Sequence, residues 1–296
     1  MRSVLLLAGL AGATTGAAAG PAPVEVTVRA RAIAPGEPLR IVVRAGEPLA
    51  SLSGRFLGAK VFLARAGAGP TDGGETWSGW AVVPLDRKAG AATIELAGTT
   101  AAGAEVVGAH AVTIEKRAFP EERLKVEPKY AEPPKEVQAR IEREREELGE
   151  IYARRRAVPP PSAAFVKPVP GDATGIFGAR RVFNGKPRSP HSGVDLKAAT
   201  GTPVAAAGPG VVVLAKDLYY SGLTVILDHG GGMFTLYAHL SRIDVKDGAP
   251  VEAGSALGLS GATGRVTGPH LHWGGKVGSE AFDPRALLDP ALFQRP

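Results

Sequence analysis

The sequence contains no cysteine, which excludes a disulfide framework, a thiolate nucleophile and a thiolate metal site. Any metal must be held by imidazole and carboxylate. Aromatic residues supply only 6% of the chain, while Gly (39) and Pro (25) are plentiful; this balance disfavours long helices and favours short strands joined by turns. Long apolar runs are also missing. The first residues offer one positive charge, Arg2, and a short apolar stretch diluted by Gly and Thr, short of the ~20 residues a membrane span needs. Followed by the small-residue run Ala17-Ala18-Ala19 and then Gly20-Pro21, this order predicts a secretory signal peptide over 1–19 and export to the periplasm, cell envelope or extracellular space.

What is present is enough apolar residue (44% of 296 positions) for two cores. Lys and Arg outnumber Asp and Glu by 35 to 29, a net charge of +6, which suits an anionic polymer and allows peripheral association with the envelope. Basic and aromatic residues are not interleaved on any expected strand, so no nucleic-acid partner is expected.

From Val24 to about Lys116, apolar residues alternate in short runs such as Val24, Val26, Val28 and Leu39, Ile41, Val43. Period two with Gly and Pro between the runs predicts an antiparallel sandwich of immunoglobulin-like type over 20–118. Trp77 and Trp80 are expected there as core or interface residues, and the lone His110 has no acid or base cluster beside it. The segment 119–162 reads as a charged helical linker. Between Glu132 and Arg156, Val137, Ile141, Leu148 and Ile151 or Tyr152 fall on one helical stripe, and the run Pro159-Pro160-Pro161 follows. Strand signals return in 163–296, including a hairpin around Gly230-Gly231-Gly232. The fold class is therefore mainly β: a sandwich, a linker helix, and a second antiparallel β domain.

Five of the six histidines lie in this last region. His191 and Asp195 are four apart on a Pro- and Gly-bearing stretch that a regular helix would not accept, and a loop can bend both onto one ion. His270 and His272 are two apart on an expected strand, so their imidazoles share one face while Leu271 and Trp273 share the other. Two neighbouring imidazoles are costly to bury without partners, which favours a shared metal or a catalytic pair. His239 ends an apolar strand and is placed in the site, whereas His229, next to the glycine turn, is expected to be an exposed turn residue. Tyr219, Tyr220, Arg180 and Arg181 fall in expected loops flanking a groove and are candidate substrate contacts.

Three segments, His191-Ser192-Gly193-Val194-Asp195, Leu236-Tyr237-Ala238-His239-Leu240 and Gly268-Pro269-His270-Leu271-His272-Trp273, resemble in order and separation the motifs of the lysostaphin and LytM-type zinc metalloendopeptidases. Gly201-Thr202-Pro203-Val204, Asp228-His229-Gly230 and Asp283-Pro284 agree, and the resemblance covers about Gly175 to Leu288. It implies one zinc ion held by His191, Asp195 and His272, catalysis by His270 with His239 beside it, and a compact antiparallel β domain with a groove. It further implies hydrolysis of peptide cross-links in bacterial peptidoglycan, with a metal-bound water as nucleophile, His270 as general base, and the metal with His239 stabilising the oxyanion. The alternative is a catalytically inactive wall-binding regulator that activates another wall hydrolase. The motifs show no departure that would favour it.

Overall fold

The computed structural model describes residues 24–68, 74–154, 156, 158–159 and 161–294. The expected signal peptide, 1–19, lies outside the described residues. No helix among them is long and apolar enough to cross a membrane.

The alternating N-terminal runs form two four-stranded antiparallel sheets. One has the order Val24–Arg29, Pro38–Ala45, Glu75–Val82, Leu63–Ala68; the other Ala59–Val61, Leu49–Phe56, Gly90–Thr100, Glu105–Ile114. Leu39, Ile41, Val43 and Trp77 meet Phe56, Ile94, Leu96 and Ile114 between them, because residues two apart on a strand share a face. Trp80, three residues from Trp77, points the other way into the core of the C-terminal region, its ring 5.8 Å from that of Phe293. One tryptophan thus serves the sandwich core and the other the interface. Ion pairs reinforce that interface: Arg31 bridges Glu37 (2.9 Å) and Asp283 (3.0 Å), and Arg117 also reaches Glu37 (2.8 Å).

The segment after the sandwich is only partly helical. Glu121–Leu124 pairs in parallel with Arg180–Phe183, in a small sheet with Lys186–Pro187. A short helix, Pro128–Ala131, precedes the long one, Lys135–Ala153. That long helix begins after Pro134, a residue that fits the entry to a helix but not its interior. Of the expected stripe, Ile151 and Tyr152 are buried, against Leu214, Leu218, Ile226 and Phe234 of the C-terminal sheet. Polar contacts hold the rest: Arg140 pairs with Glu144 (2.6 Å) and Asp217 (2.8 Å), Lys216 with Glu147, and the Tyr219 N–H donates to Glu144 (2.8 Å).

The C-terminal region is a ten-stranded sheet. Its main path runs Ala173–Gly175, Gly193–Lys197, His270–Val277, Met233–Ile243, Gly222–Gly230, Gly210–Leu218, Pro250–Val251. Every pairing in it is antiparallel. Val194, Leu196, Tyr237, Leu271 and Trp273 turn one face into the core. The opposite face of the same strands carries the histidines.

Candidate metal centre and active site

Register assembles the site. Antiparallel pairing sets Asp195 directly across from His272, Lys197 from His270, and Ala238 from His272, which leaves His239 one residue further along. The alternation expected of the strand His270–Val277 is present: Leu271 and Trp273 are fully buried, while His270 and His272 lie half-buried on the other face. His191 reaches the same point from the loop before Gly193–Lys197 and is itself buried.

One ligand atom from each of His191, Asp195 and His272 lies within 4.8 Å of the others. His191 Nδ1–H donates to the carbonyl of Ile176 (3.0 Å), which turns Nε2 inward, 3.0 Å from His272 Nδ1 and 3.1 Å from Asp195 Oδ1. Asp195 Oδ1 is also 2.8 Å from His272 Nδ1. Burial opposes ionisation of Asp195, yet the hydrogen bonds of His191 and His272 hold its carboxyl well below the usual carboxylate range. Burial likewise pushes His272 down, against the pull of Asp195. Two imidazoles and one anionic carboxylate converging on one point are a donor set that fits a divalent transition metal with a further position left open. Glycine makes room for it: a Cβ on Gly175 would meet Asp195 Oδ2 at 2.4 Å, and one on Gly193 would meet His272 Nε2 at 2.7 Å.

Beside this trio stand two more imidazoles. His270 Nδ1–H donates to the carbonyl of Gly268 (2.8 Å), which leaves Nε2 bare and 3.6 Å from Asp195 Oδ1. His239 adopts φ 63°, a left-handed backbone rare for residues other than glycine, with its N–H on Ser221 O (2.9 Å) and Nδ1–H on Thr263 O (2.8 Å). Its ring lies 4.9 Å from that of His270 and 5.9 Å from that of His272. Burial, with the like charges of His272 and His270 adding, pushes His239 down to about 3. It is therefore neutral and offers a lone pair.

Several expectations change. His229 is not an exposed turn residue: it is a buried member of the strand Gly222–Gly230, with Nδ1–H on Pro209 O (2.6 Å) and Nε2 bonded to Thr235 Oγ1 (2.7 Å). The strand runs one residue past it to Gly230, which leaves Gly231 and Gly232 to make the turn. Arg180 and Arg181 lie on the strand Arg180–Phe183 rather than in a loop. Alternation exposes Arg180 and sends Arg181 inward, where Nη2 reaches Asp195 Oδ2 (3.2 Å) and Nε reaches Glu122 (3.1 Å). The sequence held no signal for that contact, because it depends on parallel pairing with Glu121–Leu124. Tyr219 is tied to the linker through its hydroxyl on Lys129 O (2.6 Å). Tyr220 lines a groove of ≈ 880 Å³ that runs between the long helix (Ile141, Leu148, Tyr152) and the sheet, reaching Ser192 next to His191.

Residues 189–284 match the family model Peptidase family M23. The chain is 51% identical over 85 residues to the peptidoglycan DD-endopeptidase ShyA of Vibrio cholerae, a stretch covering 29% of this chain and 20% of that protein. It is 40% identical over 106 residues to the DD-carboxypeptidase/endopeptidase Mpg of Neisseria meningitidis, 35% of this chain and 24% of that one. The chain thus matches only about a fifth to a quarter of the length of these curated relatives. A crystal structure assigned to peptidase M23 of Pseudomonas aeruginosa superposes with a TM-score of 0.65 at 30% identity, covering 88% of this chain and 96% of that one. A shared motif region, a shared whole-chain architecture and an intact His-Asp-His group together lead to one conclusion: the chain belongs to peptidase family M23.

Proposed function

We propose that the protein is a zinc-dependent endopeptidase that hydrolyses peptide cross-links of bacterial peptidoglycan in the cell envelope, with the direct D-alanyl cross-link as its bond. The observation that carries this reading is the convergence of His191, Asp195 and His272 beside two further imidazoles with bare Nε2 atoms. The DD-endopeptidase activity named for the relatives supports the choice of bond.

His191 Nε2, one Asp195 oxygen and His272 Nδ1 would hold one zinc ion. When bound there, zinc supplies a Lewis acid and makes water a competent nucleophile near neutral pH. His270, its ring fixed by the Gly268 carbonyl, accepts the nucleophile's proton at Nε2 and later delivers it to the leaving amine. With Nδ1–H committed to Thr263, His239 presents Nε2 to the same space. It orients the attacking water or takes up a proton, and it supports an oxyanion only after it has been protonated. Arg181 keeps Asp195 turned so that Oδ1 faces the imidazoles. The groove beside Ser192 gives an extended peptide a place to lie.

Incubating the protein with cross-linked peptidoglycan, with and without a zinc chelator, and identifying released muropeptides by mass spectrometry tests this directly. Chelator-sensitive conversion of dimers to monomers is expected. A zinc-loaded sample that releases nothing refutes it.

A further inference from the structure

A cation stacked on the groove-lining Tyr220 takes no part in the reaction. Arg265 stands in the loop between Ala256–Ser260 and His270–Val277, two residues past Thr263, whose carbonyl holds His239. Its backbone N–H donates to Tyr220 O (2.8 Å), and its guanidinium carbon lies 4.8 Å from the ring centre of Phe183 and 4.6 Å from that of Tyr220. Two rings therefore hold the half-buried guanidinium in place without spending any of its N–H donors.

Its cationic neighbours are already engaged. Arg181 is bonded to Glu122 and Asp195, and Arg188 donates to Ala131 O (2.6 Å). The side chain of Arg265 has no hydrogen bond or ion pair with the described residues, and none of its nitrogens is both buried and unpaired, so its donors reach solvent. Burial lowers its pKa, Tyr220 opposes that, and the like charges of Arg181 and Arg188 add to it. No carboxylate offsets them. An oriented guanidinium, partly desolvated and crowded by like charge, beside a tyrosine that lines the groove, has the chemistry of a carboxylate receptor, since its fork matches a carboxylate bidentately.

We propose that Arg265 is a substrate-binding residue that receives a free carboxylate of the stem peptide lying in the groove, and so helps set which peptides are cut. This inference rests on the endopeptidase reading above. It is tested by measuring kcat/KM of the full zinc-loaded chain on a synthetic cross-linked stem-peptide dimer, and on dimers with the terminal or the side-chain carboxylates amidated. Wild type should lose about ten- to a hundredfold on one amidated dimer, the range of a charge-assisted hydrogen bond, and which dimer it is identifies the carboxylate. Arg265→Ala should cut all the dimers at that lower level, and Arg265→Lys should recover part of the preference. Wild type cutting every dimer equally, or Arg265→Ala falling by one common factor on all of them, overturns the inference and leaves the endopeptidase reading intact. Wild type cutting none of them overturns both. The wild-type comparison holds whether or not a variant folds.

Discussion

In the sandwich strand Glu75–Val82, Trp77 and Trp80 stand on opposite faces and both are buried. In the strand His270–Val277, Leu271 and Trp273 are buried on one face while His270 and His272 remain half-buried on the other. Both strands obey the same two-residue alternation. They differ in what the second face meets: an apolar partner unit in one case, a cluster of imidazoles around Asp195 in the other. The sandwich spends both faces on cohesion, with Trp80 packed on Phe293 and Arg40 donating to Leu292 O (3.1 Å). The C-terminal sheet uses one face for its core and divides the other between the docked long helix and the imidazoles with Asp195, whose desolvation is offset by hydrogen bonds.

The largest expected effect breaks the polar face. His272→Ala should lose the metal and activity together, beyond a thousandfold, whereas His270→Ala should keep one zinc per chain and lose about 10²–10⁴ in kcat. Metal content by mass spectrometry alongside kinetics separates them, and equal zinc loss in both would remove the distinction in roles. Breaking the apolar face instead, Trp80→Ala should cost about 3–5 kcal/mol in chemical denaturation while the isolated chemistry of the folded fraction persists. A comparable loss of metal would mean that the two regions are coupled more tightly than their packing indicates.

A smaller effect tests the one histidine that serves cohesion. His229 is neutral in the fold, pushed down to about 4 chiefly by burial, while the unfolded chain binds a proton near 6.5. Between these values the unfolded state holds more protons, so stability should fall as pH drops from about 6.5 to about 4, by on the order of 3 kcal/mol at most. In His229→Gln that component of the slope should vanish, measured by denaturation across this window; an unchanged slope counts against a buried neutral His229. Smallest is Arg181→Met, which should weaken zinc binding about 10- to 100-fold in a competition titration and leave thermal stability nearly unchanged.

Much of the site was legible because it is local. His270 and His272 share a face by alternation alone, whereas the pair His191 and Asp195 is a weak signal by itself and gains its role from the resemblance of the three motifs. What the sequence could not express is pairing across distance. Arg181 reads as a loop residue and candidate substrate contact until Glu121–Leu124 lies alongside its strand, and His229 reads as a turn residue until the strand Gly222–Gly230 is seen to extend past it to Gly230. The long helix was visible as an amphipathic stripe, but its role as one wall of the groove depends on Tyr152 docking at 5.4 Å from Phe234.

The sequence by itself determined the strand-rich class and the cysteine-free ligand chemistry, since these follow from composition and short periods, while the choice of metal-binding residues came from the order and separation of three motifs. Tertiary structure alone decided that Asp195 faces His272, that Arg181 holds the carboxylate's far oxygen, and that Arg265 is left without an anion. Each depends on the register of strands or the docking of loops tens of residues apart, and a one-residue slip would send Asp195, His272 or Arg181 to the opposite face of its strand.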